Sequence, residues 1–142
     1  MSESKFRLRP TGATASLGRT GLPHVTSVTG GHLDLVTAPS QEGFSPLDLL
    51  YASLAGCLVL SARMAASQMG LLEKLEEVTC EVTGTKADGD ISRIESFQIR
   101  LSIRGDLDDE TRHRITDAAE NQICTVSNTL RGNSAFDLTV SG

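Results

Sequence analysis

Three cysteines, Cys57, Cys80 and Cys124, are the side chains of this 142-residue chain best equipped for covalent chemistry. A thiolate is a nucleophile, a metal ligand and a two-electron redox centre, and its reactivity follows its pKa and exposure. The three are odd in number and widely spaced, which is not the pattern of a disulfide-stapled secreted framework, and no Cys-x-x-Cys metal pair occurs. In a reducing compartment a disulfide between two of them would be transient and catalytic rather than structural. His24, His32 and His113 lie far apart in sequence with no ligand spacing, so no zinc site is expected. Asp88-Gly89-Asp90 has the first residues of a calcium loop without the rest, and reads as a turn. There is no nucleophile elbow, Walker loop or dinucleotide fingerprint. Arg131 reads as a solvated surface arginine.

The elements that must carry these residues follow from periodicity. Residues 5 to 38 read as short strands broken by turns at Gly18–Gly21 and Gly30-Gly31, with His32 to Val36 alternating as a half-buried strand does. Ser45-Pro46 opens a helix, Ser as cap and Pro at the first helical position. It is expected from about Pro46 to Met69, with Leu50, Leu54, Cys57, Leu58, Ser61 and Met64 at helical spacing. Being apolar on most sides, it should be central, with other elements packed on both. Gly56 beside Cys57 would allow a backbone or substrate to approach.

Beyond Gly70 the period becomes two. Val78, Cys80 and Val82 share one strand face, and Phe97, Ile99, Leu101 and Ile103 another, joined through a turn at Ala87 to Asp90 as an antiparallel hairpin. Cys80 is expected in the core. Asp108 caps a second helix expected to end near Cys124, and Phe136 to Val140 reads as a closing strand. The class is α+β, mainly antiparallel sheets around a long buried central helix, in one domain spanning 1–142.

Composition narrows the function. Hydrophobic residues at 39% and charged residues at 22% are those of a globular chain, and the net charge of −5, without a Lys/Arg cluster, makes nucleic acid and acidic membrane surfaces poor partners. The apolar run from Leu54 to Leu60 is too short to cross a bilayer. Without a basic-then-apolar start, the chain is expected in the cytoplasm.

Taken alone, a helical Cys57 and a strand Cys80 read as small buried hydrophobes. Three segments in order point further. Ser45-Pro46-Leu47-Asp48-Leu49-Leu50 through Ala55-Gly56-Cys57 resembles the first signature of the OsmC/Ohr superfamily (osmotically inducible protein C and organic hydroperoxide resistance proteins), with a Cys eleven positions after the Pro that begins the helix. Asn121 through Asn133, containing Cys124-Thr125-Val126-Ser127-Asn128, is similar to the second, a Cys-Pro-x-Ser-Asn stretch. Gly18-Arg19-Thr20-Gly21 is similar to the Gly-Arg-Asp-Gly that carries the family's arginine.

That resemblance implies a peroxidase for organic hydroperoxides, lipid-derived ones included, with no metal or bound cofactor. Cys57 would attack the peroxide, Cys124 would resolve the sulfenic acid as a disulfide, and Arg19 would favour the thiolate that burial opposes. It also implies an external dithiol reductant, such as a lipoyl protein, and an intertwined homodimer with Arg19 supplied across the interface. Two positions depart from the pattern. Leu47 stands where an acid follows the Pro, leaving Asp48, turned about 100° around the helix, as the expected partner of Arg19, and Thr125 replaces the Pro after the second Cys. A second reading of the same residues is an OsmC-like protein that senses redox state or binds an apolar ligand without efficient turnover. A third is a purely structural dimer module with inert cysteines.

Overall fold

The computed structural model describes residues 9–142. They form two compact units, divided between Leu49 and Leu50.

In the N-terminal unit three short strands, β1 (Ala13–Ser16), β2 (His24–Ser27) and β3 (His32–Asp34), pair antiparallel in that order. Register sets Ala15 opposite Val25, and Val25 opposite Leu33. Leu35 and Val36 are the buried residues here, and the Val36 N–H donates to the Phe44 carbonyl at 3.0 Å. The histidines that looked unrelated in sequence partly converge. The His24 and His32 rings lie 5.8 Å apart, and His24 Nδ1 sits 2.7 Å from Asp34 Oδ1 across the β2–β3 pair. No group of three His, Cys, Asp or Glu among the described residues is arranged to hold a metal.

The helix α1 runs Pro46–Gln68, one residue short of the expected end. A reciprocal capping box starts it: the Asp48 N–H donates to Ser45 Oγ (3.1 Å), and Asp48 Oδ2 accepts from the Ser45 N–H (3.0 Å). It ends at Gly70, whose φ of +73° allows the Leu71 N–H to reach back to the Ala66 carbonyl at 2.8 Å.

The second unit is built on the hairpin of β4 (Leu75–Lys86) and β5 (Ile94–Gly105). Val78 opposes Ile103, Cys80 opposes Leu101 and Val82 opposes Ile99, so the two apolar runs share one face. On that face α1 lays down Leu54, Leu58, Ser61, Ala62, Ala65 and Ala66, one stripe at helical spacing. The alanines meet Ile103 of β5 and Ile115 of α2 (Asp109–Ala118) in one core cluster, while Leu54 and Leu58 meet Cys124 in another. Small residues in the helix let sheet and helix approach closely. Gly84 does the same from the strand, since a Cβ there would lie 2.6 Å from the Tyr51 hydroxyl.

Several expectations for this unit change. Among the described residues α1 is not packed on both sides: Leu60 and Met64 are exposed. By length and composition α1 would suffice to cross a bilayer, contrary to the reading of its apolar run, but its buried stripe is that of a core helix. The helix capped by Asp108 stops at Ala118 and passes through a π turn, Ala119–Ile123, closed by the Cys124 N–H on the Ala119 carbonyl. The helical run thus closes at Cys124 as expected, and Cys124 also begins a further helix, α3 (Thr125–Arg131). Residues 133–142 carry no regular structure, so the expected strand at Phe136 to Val140 is absent; its apolar side chains are exposed and, among the described residues, its backbone has no ladder partner.

Candidate thiol site

Sequence places Cys57 in the middle of α1 and Cys124 67 residues later; the fold brings them together. Cys57 is half-buried and packs against the cluster of Leu54, Leu58 and Cys124, the last fully buried. Both are free thiols. Cys124 and Val126 belong to the same packed cluster, and Ser61 is one turn along α1.

The electrostatic consequence follows from competing effects. Burial is the largest influence on Cys57 and pushes its thiol up, as it must for a group that ionises to an anion. The hydrogen bonds from Cys124, Val126, Ser61 and Thr125 together outweigh it, and the net direction is down. Two of these donors are the first backbone N–H groups of α3, which lack intrahelical partners and are free to serve an anion. Cys124 moves the opposite way. Burial raises its thiol first, and the bond it shares with Cys57 raises it further, because giving up that proton costs a hydrogen bond. Its sulfur also accepts from the Ser127 N–H at 3.3 Å, capping α3. The pair is thus polarised: Cys57 is the better thiolate and Cys124 the proton-bearing neighbour.

Arg131 fastens the Cys124 turn. Its guanidinium pairs with the Glu120 carboxylate and donates to the Glu120 carbonyl (3.3 Å) and Asn121 Oδ1 (3.2 Å). It ties the end of α3 to the π turn before Cys124, a role the reading of it as a solvated surface arginine missed. Its side chain, with Leu54, Phe97 and Ser127, also lines an open cavity of about 380 Å³. A second opening, about 430 Å³, has Leu58, Ile99, Leu101 and Ile103 as its apolar floor. Neither cysteine sulfur lines these two cavities.

The other expected site residues lie in the N-terminal unit. Arg19 is exposed in the turn between β1 and β2, and among the described residues it forms no ion pair. Asp48 closes the capping box with Ser45 rather than meeting Arg19. Ser61 and the amides of Thr125 and Val126 are the contributors that residue types did not announce. Ser61 had a signal, its place one helical turn from Cys57.

A long helix carrying one thiol over an antiparallel hairpin, with a second thiol at the start of a late helix, defines an OsmC-like protein. Residues 39–139 match the family described as OsmC-like protein, and the chain belongs to it. Among solved structures it is similar to an OsmC-like protein from Mycoplasma pneumoniae (TM-score 0.75, 20% identity, 87% of this chain and 89% of that one). It is also similar to an organic hydroperoxide resistance protein OsmC from Legionella pneumophila (TM-score 0.70, 24% identity, 90% and 93%). A third is the organic hydroperoxide resistance protein OhrB of Bacillus subtilis (TM-score 0.61, 27% identity, 89% and 94%). No curated protein matches by sequence.

Proposed function

We propose that this protein is a thiol-dependent peroxidase that reduces organic hydroperoxides, fatty-acid and lipid hydroperoxides included, to alcohols. The observation that carries the reading is that the fold packs Cys57, in mid-α1, against the buried Cys124 in one cluster, both as free thiols. The Cys57 thiolate attacks the terminal oxygen of the peroxide, the O–O bond breaks, and the alkoxide leaves as alcohol on taking a proton. Cys57 is now a sulfenic acid. The Cys124 sulfur attacks it, hydroxide leaves as water with a proton, and a Cys57–Cys124 disulfide remains. An external dithiol, lipoyl or similar in chemistry, restores both thiols by exchange. Arg19 orients the peroxide and supports the thiolate, with Asp48 as its acidic partner when the site is assembled.

The protein works as a homodimer in a reducing, cytoplasmic compartment. The exposed Leu60 and Met64 of α1, and Phe136, Leu138 and Val140 on alternate positions of the tail, support a second copy as the cover. Sedimentation velocity tests this, and a monomer at all concentrations would refute it.

The decisive experiment counts free thiols after one equivalent of an organic hydroperoxide is added to reduced protein. Wild type should lose two, Cys57→Ser none and Cys124→Ser one. Unchanged counts in all three would sink the peroxidase. One observation favours the redox-sensing or ligand-binding reading: Leu47 stands where an acid is expected, and Asp48 is engaged by Ser45. Steady-state turnover with a dithiol and cumene hydroperoxide separates the two, since a sensor is oxidised stoichiometrically and stops.

A further inference from the structure

The third cysteine is also part of this cluster. Cys80 packs from β4 against the cluster of Leu54, Leu58 and Cys124, as Cys57 does from α1, so the only three thiols in 142 residues share one apolar site. Building on the peroxidase reading, we infer that Cys80 is a third redox thiol that exchanges into the Cys57–Cys124 disulfide, forming Cys80–Cys124 and releasing Cys57. In this step the Cys80 thiolate attacks Cys124 Sγ, the Cys57–Cys124 bond breaks, and Cys57 leaves as thiolate; the proton lost by Cys80 goes to solvent. No net oxidation occurs. A second hydroperoxide then oxidises the freed Cys57 to its sulfenic acid and leaves as alcohol.

Three features of the structure support the exchange. Cys124 is the shared partner, buried at the junction of a π turn and a seven-residue helix where the thiols of α1 and β4 converge. Cys57 is the better leaving group because its thiolate is held by Val126, Ser61 and Thr125. Finally, Cys80 is the slower thiol, so it does not compete with Cys57 for the peroxide. Burial, then the negative charge of Cys124, then that of Glu81 push its thiol up. Cys80 remains partly desolvated, so exchange is slower than the first closure and quickens with pH, by about tenfold per unit below its pKa.

The chain then stores two oxidising equivalents before any reductant arrives. Each cysteine falls on its own tryptic peptide, Thr20–Arg63, Leu75–Lys86 and Ile115–Arg131, so linkage is read directly. Wild type treated with excess cumene hydroperoxide, then alkylated and digested, should yield the peptide pair linked through Cys80 and Cys124. The alcohol burst should approach two equivalents per chain, and one in Cys80→Ala. Cys57→Ser oxidised with diamide, which needs no peroxidase chemistry, should give the same linked pair within one chain on non-reducing gels. Recovery of Cys57–Cys124 alone from wild type, with no Cys80 link in the diamide arm, overturns the exchange and leaves the peroxidase standing. A Cys80 link found only between chains also overturns it. Three free thiols after hydroperoxide overturn both.

Discussion

Replacing Ser61 by Ala takes one donor from the Cys57 sulfur and little else. Ser61 is 4% exposed and lies one turn along α1 from Cys57. Ala is the better helix former, so α1 should survive. A hydrogen bond to an ionised group contributes about 1.5–3 kcal/mol, against about 1 to a neutral one. The difference, about 1–2 kcal/mol, is what favours the thiolate, and at about 1.36 kcal/mol per unit its loss raises the Cys57 pKa by roughly one unit. Below both pKa values the thiolate population falls about tenfold. Each remaining thiolate is more basic and so more nucleophilic, with a Brønsted coefficient of about 0.4–0.5, which returns about threefold. The net expectation is a rate about three- to fourfold slower at low pH and about threefold faster above both pKa values. Iodoacetamide alkylation against pH, quantified on the Thr20–Arg63 peptide, measures this crossing. Superimposable profiles would refute the assignment of Ser61 as a donor to the sulfur.

Other perturbations have equally definite outcomes. Ile115→Ala opens the fully buried centre of the α1–β5–α2 cluster and should cost about 2–5 kcal/mol in chemical denaturation. The exposed Ile91→Ala should be within about 0.5 kcal/mol of wild type. Arg131→Gln loses a half-exposed ion pair, so stability should drop by less than about 1 kcal/mol. The freed Cys124 turn should nonetheless raise the share of Cys57 found as sulfinic acid by mass spectrometry after excess hydroperoxide. At Asp108, the side-chain bond from Thr111 lowers the carboxyl pKa. The group binds its proton more weakly folded than unfolded, so its contribution is present above the ordinary aspartate range and lost as pH falls through the folded value. Melting temperatures of Asp108→Asn and wild type should therefore converge in acid; a constant gap from neutral to acid pH would contradict that linkage.

What sequence conveyed well was whatever local physics decides. The β4–β5 hairpin was legible because alternation and the Ala87–Asp90 turn agree. The start of α1 was legible because Ser45 and Pro46 are strong signals at a helix start. The helix α3 was not, because Thr125, Val126, Ser127 and Asn128 are weak helix formers and a cysteine is an unusual cap. Phe136, Leu138 and Val140 misled for a different reason. Alternation states which way side chains would face, but a strand also needs an edge to bond, and the described residues do not supply it. The meeting of Cys57 with Cys124 depended on family resemblance, since no spacing rule joins residues so far apart. The presence of Cys80 beside them was hidden by its own regularity, a small apolar residue alternating with valines.

The cap of α3 has one more consequence. The sulfur that accepts from the Ser127 N–H is the one that would enter the disulfide. Closing the bond requires that sulfur to turn toward Cys57 Sγ, which would take it away from that amide. Seven residues make too short a helix to hold itself together once its first turn loosens. The oxidised protein would thus differ from the reduced one in chain order as well as bonding, its amides from Val126 to Arg131 exchanging faster with solvent. An incoming reductant would meet a softened segment over the very bond it must break, and reduction would restore the helix and close the surface behind it.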